Sequence, residues 1–171
     1  MLLSQKNKTF GEYVQTKLLS RDALEGSIRS IRSNGSTIAT LNGSFDLLHA
    51  GHLEMIYQAS LQADILIMAL NSDASIKKYK SPLRPIIPLE YRIQMVAALE
   101  MVDFVTWFDE TDPRVMLEII RPDVHVNGSE YGHDCIEAEV VRRNGGRVHI
   151  VSLVPGLSTT KIIGKIKETC V

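Results

Sequence analysis

The sequence has little cysteine, almost no net charge and no long hydrophobic run. Cys135 and Cys170 are the only cysteines among its 171 residues, and neither has the spacing of a metal-binding or CxxC pair. We therefore expect two free thiols in a reducing, cytoplasmic setting. No stretch approaches the roughly 18 uninterrupted apolar residues that a membrane-spanning helix needs, and the N-terminus lacks the apolar segment of a signal peptide. The sequence predicts a cytoplasmic protein with no membrane partner.

The charge balance bears on the choice of partner. Nineteen lysines and arginines face 20 aspartates and glutamates, for a formal net charge of -1. A domain that holds a polynucleotide backbone usually presents a basic field, so no nucleic acid partner is expected. The hydrophobic content of 44% and the length are those of one globular domain with its own core.

Short apolar runs alternate with amphipathic segments, which is typical of an α/β protein. Strands are predicted at residues 37–41, 65–70, 103–108, 124–126 and 147–154. Helices are predicted within residues 20–35, where Asn34-Gly35 is the stop signal, from Leu53, at 89–101, 113–120 and 136–146, and from Ser158. Residues 71–88 are interpreted largely as an ordered loop over a site, with room for one short helix. Strands that are apolar throughout indicate a parallel sheet covered on both faces.

We therefore predict a Rossmann-like, doubly wound, five-stranded parallel sheet with strand order 3-2-1-4-5. Residues 1–35 are expected to form an N-terminal leader with one helix, and residues 36–171 the main domain. Ligands of such sheets bind outside the carboxyl ends of the strands, where the strand order reverses.

The stretch "GSFDLLHAGH" follows the first strand and so occupies that position. His49 and His52 flank Gly51 at the start of the next helix, where free backbone N–H groups and the helix dipole attract anions. Imidazole N–H groups would add donors, and glycine would allow close approach of the backbone. The pair could instead bind a metal ion, or each histidine could serve as a cap or a packing residue. The glycine and the position of the loop favour a phosphate site.

A second stretch, "PGLSTTKI", offers a glycine turn, the hydroxyls of Ser158, Thr159 and Thr160, and a lysine at the start of the last helix. Alone it would read as an ordinary capped helix. In the predicted strand order, however, both helix starts face one crevice. Together they indicate a ligand with several phosphates.

These motifs resemble the cytidylyltransferase-like branch of the nucleotidyltransferase superfamily, whose signature is HxGH followed by a later Ser/Thr-rich motif. "LNGSFDLLHAGH", "NSDAS", "RPIIPLEYR", "RPDVHVNGSEY", "NGGRV" and "STTKIIGKI" occur in an order similar to that in the nucleotidyltransferase domain of the ADP-heptose synthase family. The similarity runs from about Gly35 to Glu168 and implies the nucleotidylyl transferase fold.

The resemblance implies an enzyme that joins a nucleoside triphosphate to a phosphorylated sugar and releases pyrophosphate. The implied pair is ATP with heptose 1-phosphate, with Mg²⁺ as cofactor. The same chemistry with CTP and glycerol 3-phosphate remains open, because the enzymes that use this pair share both motifs. A nucleotide-binding module without turnover is the third hypothesis. Members of this family are commonly homodimers, so a homodimer is a further expectation.

The resemblance also implies roles for individual residues. Catalytic roles are carried over to His49, His52 and Lys80. Nucleotide binding is carried over to Asn42, Gly43, Phe45, Gly51, Asn71, Gly128, Glu130, Ser158, Thr159 and Thr160. Acceptor binding is carried over to Asp46, Lys77, Arg84, Arg92 and Tyr131.

Several of these assignments keep alternatives. Spacing does not choose among Lys77, Lys78 and Lys80, and all three could lie in a solvated loop. Asp46 could reach a Mg²⁺ ion held by the phosphates, or could hold the loop in an Asx-type turn. Arg92 could contact the substrate or lie exposed on a helix. The segment around Tyr131 could bind base, ribose or sugar, or could be a turn with a buried tyrosine.

The sequence departs from the resembled family at Asn127, where heptose enzymes usually have lysine. A positive charge is therefore missing from the expected substrate side, which leaves room for a different acceptor. The kinase domain that often precedes this domain is not in the sequence, so a stand-alone transferase is expected.

Overall fold

The computed structural model describes residues 8–152 and 154–170. Its five strands form one parallel sheet in the order β3-β2-β1-β4-β5, which confirms the predicted architecture and strand order. The strands are β1 Ile38–Gly43, β2 Ile65–Asn71, β3 Phe104–Phe108, β4 Val124–Gly128 and β5 Arg147–Val151. All four pairings are parallel, so the carboxyl ends of all the strands lie at one edge of the sheet.

Helices cover both faces of this sheet. In the described residues they are α1 Phe10–Lys17, α2 Arg21–Ser33, α3 Ala50–Ser60, α4 Asp73–Tyr79, α5 Leu89–Ala97, α6 Arg114–Ile120, α7 Ala138–Arg143 and α8 Thr159–Thr169. Apolar residues of α1, α3 and α5 pack on one face, and those of α2, α6 and α7 pack on the other. Within the two described ranges, none of these helices combines the length and apolarity that a membrane crossing requires.

The N-terminal segment holds two helices where the sequence predicted one. Helix α1 is stabilised by a capping box in which Thr9 and Glu12 bond each other's backbone N–H groups. Its single buried residue, Val14, joins the core, and Lys17 Nζ donates to the carbonyl of Val102 at 2.6 Å. One buried residue in eight leaves no core-facing periodicity to detect, so capping and tertiary contacts determine this helix.

Other boundaries moved by a few residues. Helix α3 begins at Ala50 rather than Leu53, because the His49 side chain supplies the N-cap. The short helix allowed within residues 71–88 is α4, which Ser72 caps. Helix α8 begins directly after Ser158, which caps it as predicted. The prediction for β5 extended to residue 154, but the strand ends at Val151, and residue 153 lies outside the described residues.

A buried histidine in the sheet predicts acid sensitivity of the fold. His125 has no exposed surface, its Nδ1 lies 2.8 Å from Thr40 Oγ1, and burial lowers its pKa to about 4. The unfolded chain binds a proton at this residue below about pH 6.5, whereas the folded chain does not until about pH 4. The free energy of unfolding should therefore fall by up to about 3 kcal/mol from pH 6.5 to pH 4.

Urea denaturation at a series of pH values measures this effect. His125→Gln should show a flatter pH dependence over the same range, because its amide does not titrate. Equal slopes in the two proteins would show that His125 does not cause the acid sensitivity.

Candidate active site

The loop between β1 and α3 presents two stacked imidazoles at the start of the helix. The rings of His49 and His52 lie 3.8 Å apart, with 21° between their planes. His49 is the N-cap, and its Nδ1 accepts the backbone N–H of His52 at 3.4 Å. In a neutral ring whose Nδ1 accepts, Nε2 carries the proton, so His49 keeps one N–H for a ligand.

Gly51 is required by the position of the His49 ring. A Cβ atom at this residue would lie 3.1 Å from Cε1 and Nδ1 of His49, closer than comfortable van der Waals contact. It would also approach the side chain of Leu157, which precedes α8, to 3.6 Å. The N-terminal ends of α3 and α8 therefore meet at this glycine.

Replacing Gly51 by alanine should displace the His49 ring without unfolding the protein. Small displacements of a positioning group are costly in rate, so we expect kcat/KM for the reaction that the motifs imply to fall about tenfold or more. Alanine in a helix offsets the strain by about 0.5–1 kcal/mol, so thermal stability should change little. The matched control is Gly26→Ala in α2, where a Cβ meets no atom within 4 Å. A Gly51→Ala enzyme with the kcat/KM of the control would refute the positioning role.

Phe45 shapes the same loop through an uncommon backbone conformation. Its φ of 45° lies in the left-handed region, which is costly for a residue with a side chain. The buried ring packs edge-on against His52 at 5.2 Å between centroids. A Cβ at Gly43 would lie 3.0 Å from the Phe45 ring. Gly43 thus makes room for the ring that supports His52.

Both histidines are poor bases in this site. Burial lowers the pKa of His49. Burial, together with the nearby His49 and Lys80, lowers the pKa of His52 to about 4. Near neutral pH both rings are therefore uncharged hydrogen-bond donors in the free protein. A bound polyphosphate would raise the pKa of His52, since negative charge favours the cation.

The structure distinguishes the three lysines that spacing left equivalent. Lys80 Nζ donates to Ser44 Oγ in the β1–α3 loop at 2.9 Å, and burial is the main cause that lowers its pKa. Lys78 instead points to the carbonyl of Asp109 at 3.3 Å. Lys77 is exposed on α4 and does not line the cavity beside the histidines. Only Lys80 among the three lines this cavity; the structure does not bring Lys77 to it.

Asp46 holds a loop rather than facing the cavity. Its carboxylate has no exposed surface; Oδ1 accepts the N–H groups of Ile86 and Ile87 at 2.8 Å each, and Oδ2 accepts from Arg84 Nε at 2.6 Å. Burial alone would raise its pKa, but the two backbone donors and Arg84 hold that pKa below its ordinary value. The partner is a segment about 40 residues away, so the predicted local Asx-type turn is not what Asp46 forms.

These contacts bear on the expected Mg²⁺ ion. Both oxygens of Asp46 are engaged, so this carboxylate does not fit as a metal ligand. Within residues 8–152 and 154–170, no three His, Cys, Asp or Glu side chains are grouped to hold a metal ion. Binding of Mg²⁺ through nucleotide phosphates stays a prediction.

Arg92 is a buried residue whose guanidinium links several loop segments. The sequence left it as a substrate contact or an exposed helix residue, but its side chain has no exposed surface. It donates to the carbonyls of Ser44, Asn71 and Ile87 at 2.6, 2.8 and 2.9 Å, and to Asp73 Oδ1 at 2.8 Å. The exposed alternative is wrong, and direct substrate contact does not fit a buried side chain. The guanidinium instead joins the ends of β1 and β2 to the 84–88 loop.

The end of β4 carries the segment predicted to bind base, ribose or sugar. The Glu130 carboxylate lies over Gly128, where a Cβ would collide with it. Tyr131 is 63% exposed, so the alternative of a buried tyrosine is wrong. Asn127, at the position where lysine was expected, donates from Nδ2 to Oε2 of the buried Glu137 at 3.3 Å. Sequence reasoning missed Glu137, because no motif marks the irregular segment before α7.

A cavity of about 410 Å³ joins these groups at the carboxyl edge of the sheet. The predicted residues that line it are Asn42, Gly43, Phe45, His52, Asn71, Lys80, Glu130, Tyr131 and Thr159. Among the residues that the structure describes, none donates a hydrogen bond to the buried Asn42 Oδ1, so a ligand can supply the donor. Ser158 caps α8 beside the cavity, whereas Thr160 is exposed and lies outside its lining.

Two helix N-termini and uncharged imidazole donors around one cavity suit a polyphosphate. No GxGxxG turn follows β1, which sets the site apart from those of dinucleotide-dependent oxidoreductases. The fold and site therefore define a nucleotidyltransferase. Residues 40–165 match the family model described as Cytidylyltransferase-like, and the chain belongs to this family.

Relatives with known names agree with this assignment. The chain is 40% identical over 148 residues to "Bifunctional protein HldE" of Hahella chejuensis, with 86% of this chain and 31% of the relative covered. It is 43% identical over 151 residues to the protein of the same name from Geobacter sulfurreducens, with 88% and 31% covered. The chain thus spans about a third of the length of the curated relatives it matches.

Solved structures show the same fold at lower identity. A lipopolysaccharide core biosynthesis protein from Thermoplasma volcanium has a TM-score of 0.57 and 24% identity, covering 70% of this chain and 98% of its own. Pantoate-beta-alanine ligase from Francisella tularensis has a TM-score of 0.56 and 16% identity, covering 91% and 79%. At these identities the likeness establishes the fold alone.

Proposed function

We propose that the protein transfers the adenylyl group of ATP to a sugar 1-phosphate, heptose 1-phosphate, to give an ADP-sugar and pyrophosphate. The observation that carries the proposal is the convergence of His52, whose ring stacks on that of His49, with Lys80 and the N-terminal ends of α3 and α8 on one cavity. Identity of about 40% to the HldE proteins over most of the chain supports the nucleotide-sugar chemistry.

In the proposed reaction, an oxygen of the acceptor phosphate attacks the α-phosphorus of ATP, and the bond to the leaving pyrophosphate breaks. No covalent enzyme intermediate is needed, so catalysis consists of positioning and of stabilising negative charge. His49 and His52 donate N–H groups to the phosphates, and Lys80 supplies a positive charge. Donors preorganised in a partly buried site stabilise a developing charge more strongly than water does.

In the proposed mechanism, the loop of residues 84–88 is fixed in place beside the phosphate-binding groups. Asp46 holds the N–H groups of Ile86 and Ile87, and Arg92 holds the carbonyl of Ile87. Two buried groups of opposite charge thus hold the same short segment against the β1–α3 loop. Lys80 lies on the chain that leads into this segment, so the two contacts restrict where its ammonium group can move.

Pyrophosphate release by the purified protein with Mg²⁺ tests the proposal, crossing ATP and CTP with heptose 1-phosphate and glycerol 3-phosphate. We expect turnover with ATP and heptose 1-phosphate that His52→Ala lowers at least 100-fold, the usual cost of losing one transition-state donor. Turnover only with CTP and glycerol 3-phosphate would refute the proposal and show that the protein is a cytidylyltransferase. Nucleotide binding without turnover in any pairing would favour a binding module. We also propose that the protein is cytoplasmic. We expect it to be a homodimer, and light scattering measures its oligomeric state.

A further inference from the structure

The cavity has a basic side and an acidic side. His52 and Lys80 line it from the face of the sheet that α3 covers. Asp112, Glu130 and Glu137 line it from the direction of α6 and α7. Asp112 is compensated by Arg114, whose Nε and a terminal nitrogen bond it at 2.8 and 3.0 Å. The other two carboxylates are not compensated in this way.

Neither Glu130 nor Glu137 forms an ion pair within the described ranges of the chain. Glu137 is only 5% exposed, and it occupies the N-cap position of α7 without capping the helix through its side chain. Its side-chain hydrogen-bond partners are neutral, the Asn127 amide at 3.3 Å and the Cys135 thiol, and the charge of Arg114 acts on it from beyond ion-pair distance. A buried carboxylate with so little compensation is costly unless further donors reach it, and the cavity is where a ligand can supply them.

The negative field of these carboxylates reaches their neighbours. Although Tyr131 is 63% exposed, partial desolvation raises its pKa, and the charges of Glu130 and Glu137 raise it further. Burial likewise raises the pKa of the Cys135 thiol, and the charge of Glu137 adds to this shift. Both groups are therefore neutral near pH 7, and their neutral forms can donate hydrogen bonds. An anionic group that enters this side of the cavity would meet repulsion at short range.

We propose that Glu137 determines acceptor specificity: its carboxylate accepts hydrogen bonds from hydroxyl groups of a neutral sugar and rejects acceptors that carry a second negative charge. The inference rests on the proposed function, because it concerns the sugar part of the acceptor. The acceptor's single phosphate then lies on the basic side, and its uncharged, donor-rich part lies beside Glu137 and Asn127. The reaction that supplies the substrate must accordingly leave a sugar with one phosphate.

Competition between two acceptors tests this inference. One is heptose 1-phosphate, and the other is the same sugar with a second phosphate on its terminal carbon. We expect the wild-type enzyme to prefer the monophosphate by about 10- to 100-fold in kcat/KM, as repulsion between nearby charges implies. Glu137→Gln, which removes the charge and keeps the shape, should reduce this preference about tenfold, mainly through the KM of the bisphosphate.

Two further variants separate charge from structure. Asn127→Lys places a cation beside Glu137 and should reduce the preference in the same direction. Glu139→Gln removes an equal charge two residues away, from a side chain that is 88% exposed and lines a different cavity, and it should leave the ratio unchanged. Thermal unfolding of each variant verifies that it is folded.

The outcomes are distinguishable. Transfer to both acceptors at equal kcat/KM by the wild-type enzyme would overturn the inference while leaving the proposed function intact. So would a preference that neither Glu137→Gln nor Asn127→Lys alters. Absence of pyrophosphate release with every acceptor would overturn the proposed function and the inference together.

Discussion

Lys80→Ala should lower kcat/KM for nucleotidyl transfer about 100-fold or more, whereas Lys77→Ala should leave it nearly unchanged. Lys80 is the lysine of this segment that lines the cavity and bonds the β1–α3 loop through Ser44. Removing one preorganised charge donor from such a site commonly costs 10²–10³ in rate. Steady-state pyrophosphate release with both variants measures the effect.

The pair of variants is closely matched, because both lysines lie within or directly after α4 and differ by less than one helical turn. A general loss of positive charge around the site would weaken both proteins alike. Equal losses in the two variants would therefore contradict the selection of Lys80.

Arg92→Met should lower the free energy of unfolding by about 3–5 kcal/mol, the range observed when one partner of a buried charged network is removed. The substitution leaves the carbonyls of Ser44, Asn71 and Ile87 without their donor in the protein interior, and leaves Asp73 without its cation. The total free energy of unfolding of a typical domain is only about 5–15 kcal/mol. Urea denaturation at neutral pH measures the loss.

The control is Arg29→Met in α2, where the side chain is 74% exposed and pairs with Glu25 one helical turn away. Surface ion pairs of this kind contribute well under 1 kcal/mol. A similar, small effect of both substitutions would show that the 84–88 loop does not depend on Arg92. If Arg92→Met still folds at low temperature, its activity should also fall, because Arg92 holds Ser44 of the β1–α3 loop, and Ser44 accepts the hydrogen bond of Lys80.

Local signals explain why so much of the fold could be predicted. Apolar runs of strand length, helical periodicity and caps such as Ser158 act through residues near in sequence. The five strands, their order and the site at their carboxyl ends followed from these signals together with the general rules for doubly wound sheets. Helix α1 escaped prediction because it buries only Val14 and depends on contacts with distant residues.

Within the site, the grouping of residues at the two helix starts could be predicted, but the contacts of the charged residues around them could not. His49, Gly51 and His52 act within one turn of helix, so their spacing alone shows what they can do together. Spacing could not choose Lys80 over Lys77, or assign partners to Asp46 and Arg92, because those partners lie between 5 and 48 residues away. Glu137 carried no signal, since its importance arises from burial beside Asn127.

The amino-acid sequence by itself determined the class of this protein: an α/β sheet with two capped helix starts, after His49 and after Ser158, at one edge. Each of these features is encoded in a short stretch. Only the tertiary structure decided which charges face the cavity and which hold the loops around it. The physical reason is burial. Asp46 and Arg92 are charged residues of ordinary appearance in the sequence, and they become anchors because folding removes them from water and leaves backbone groups as most of their partners.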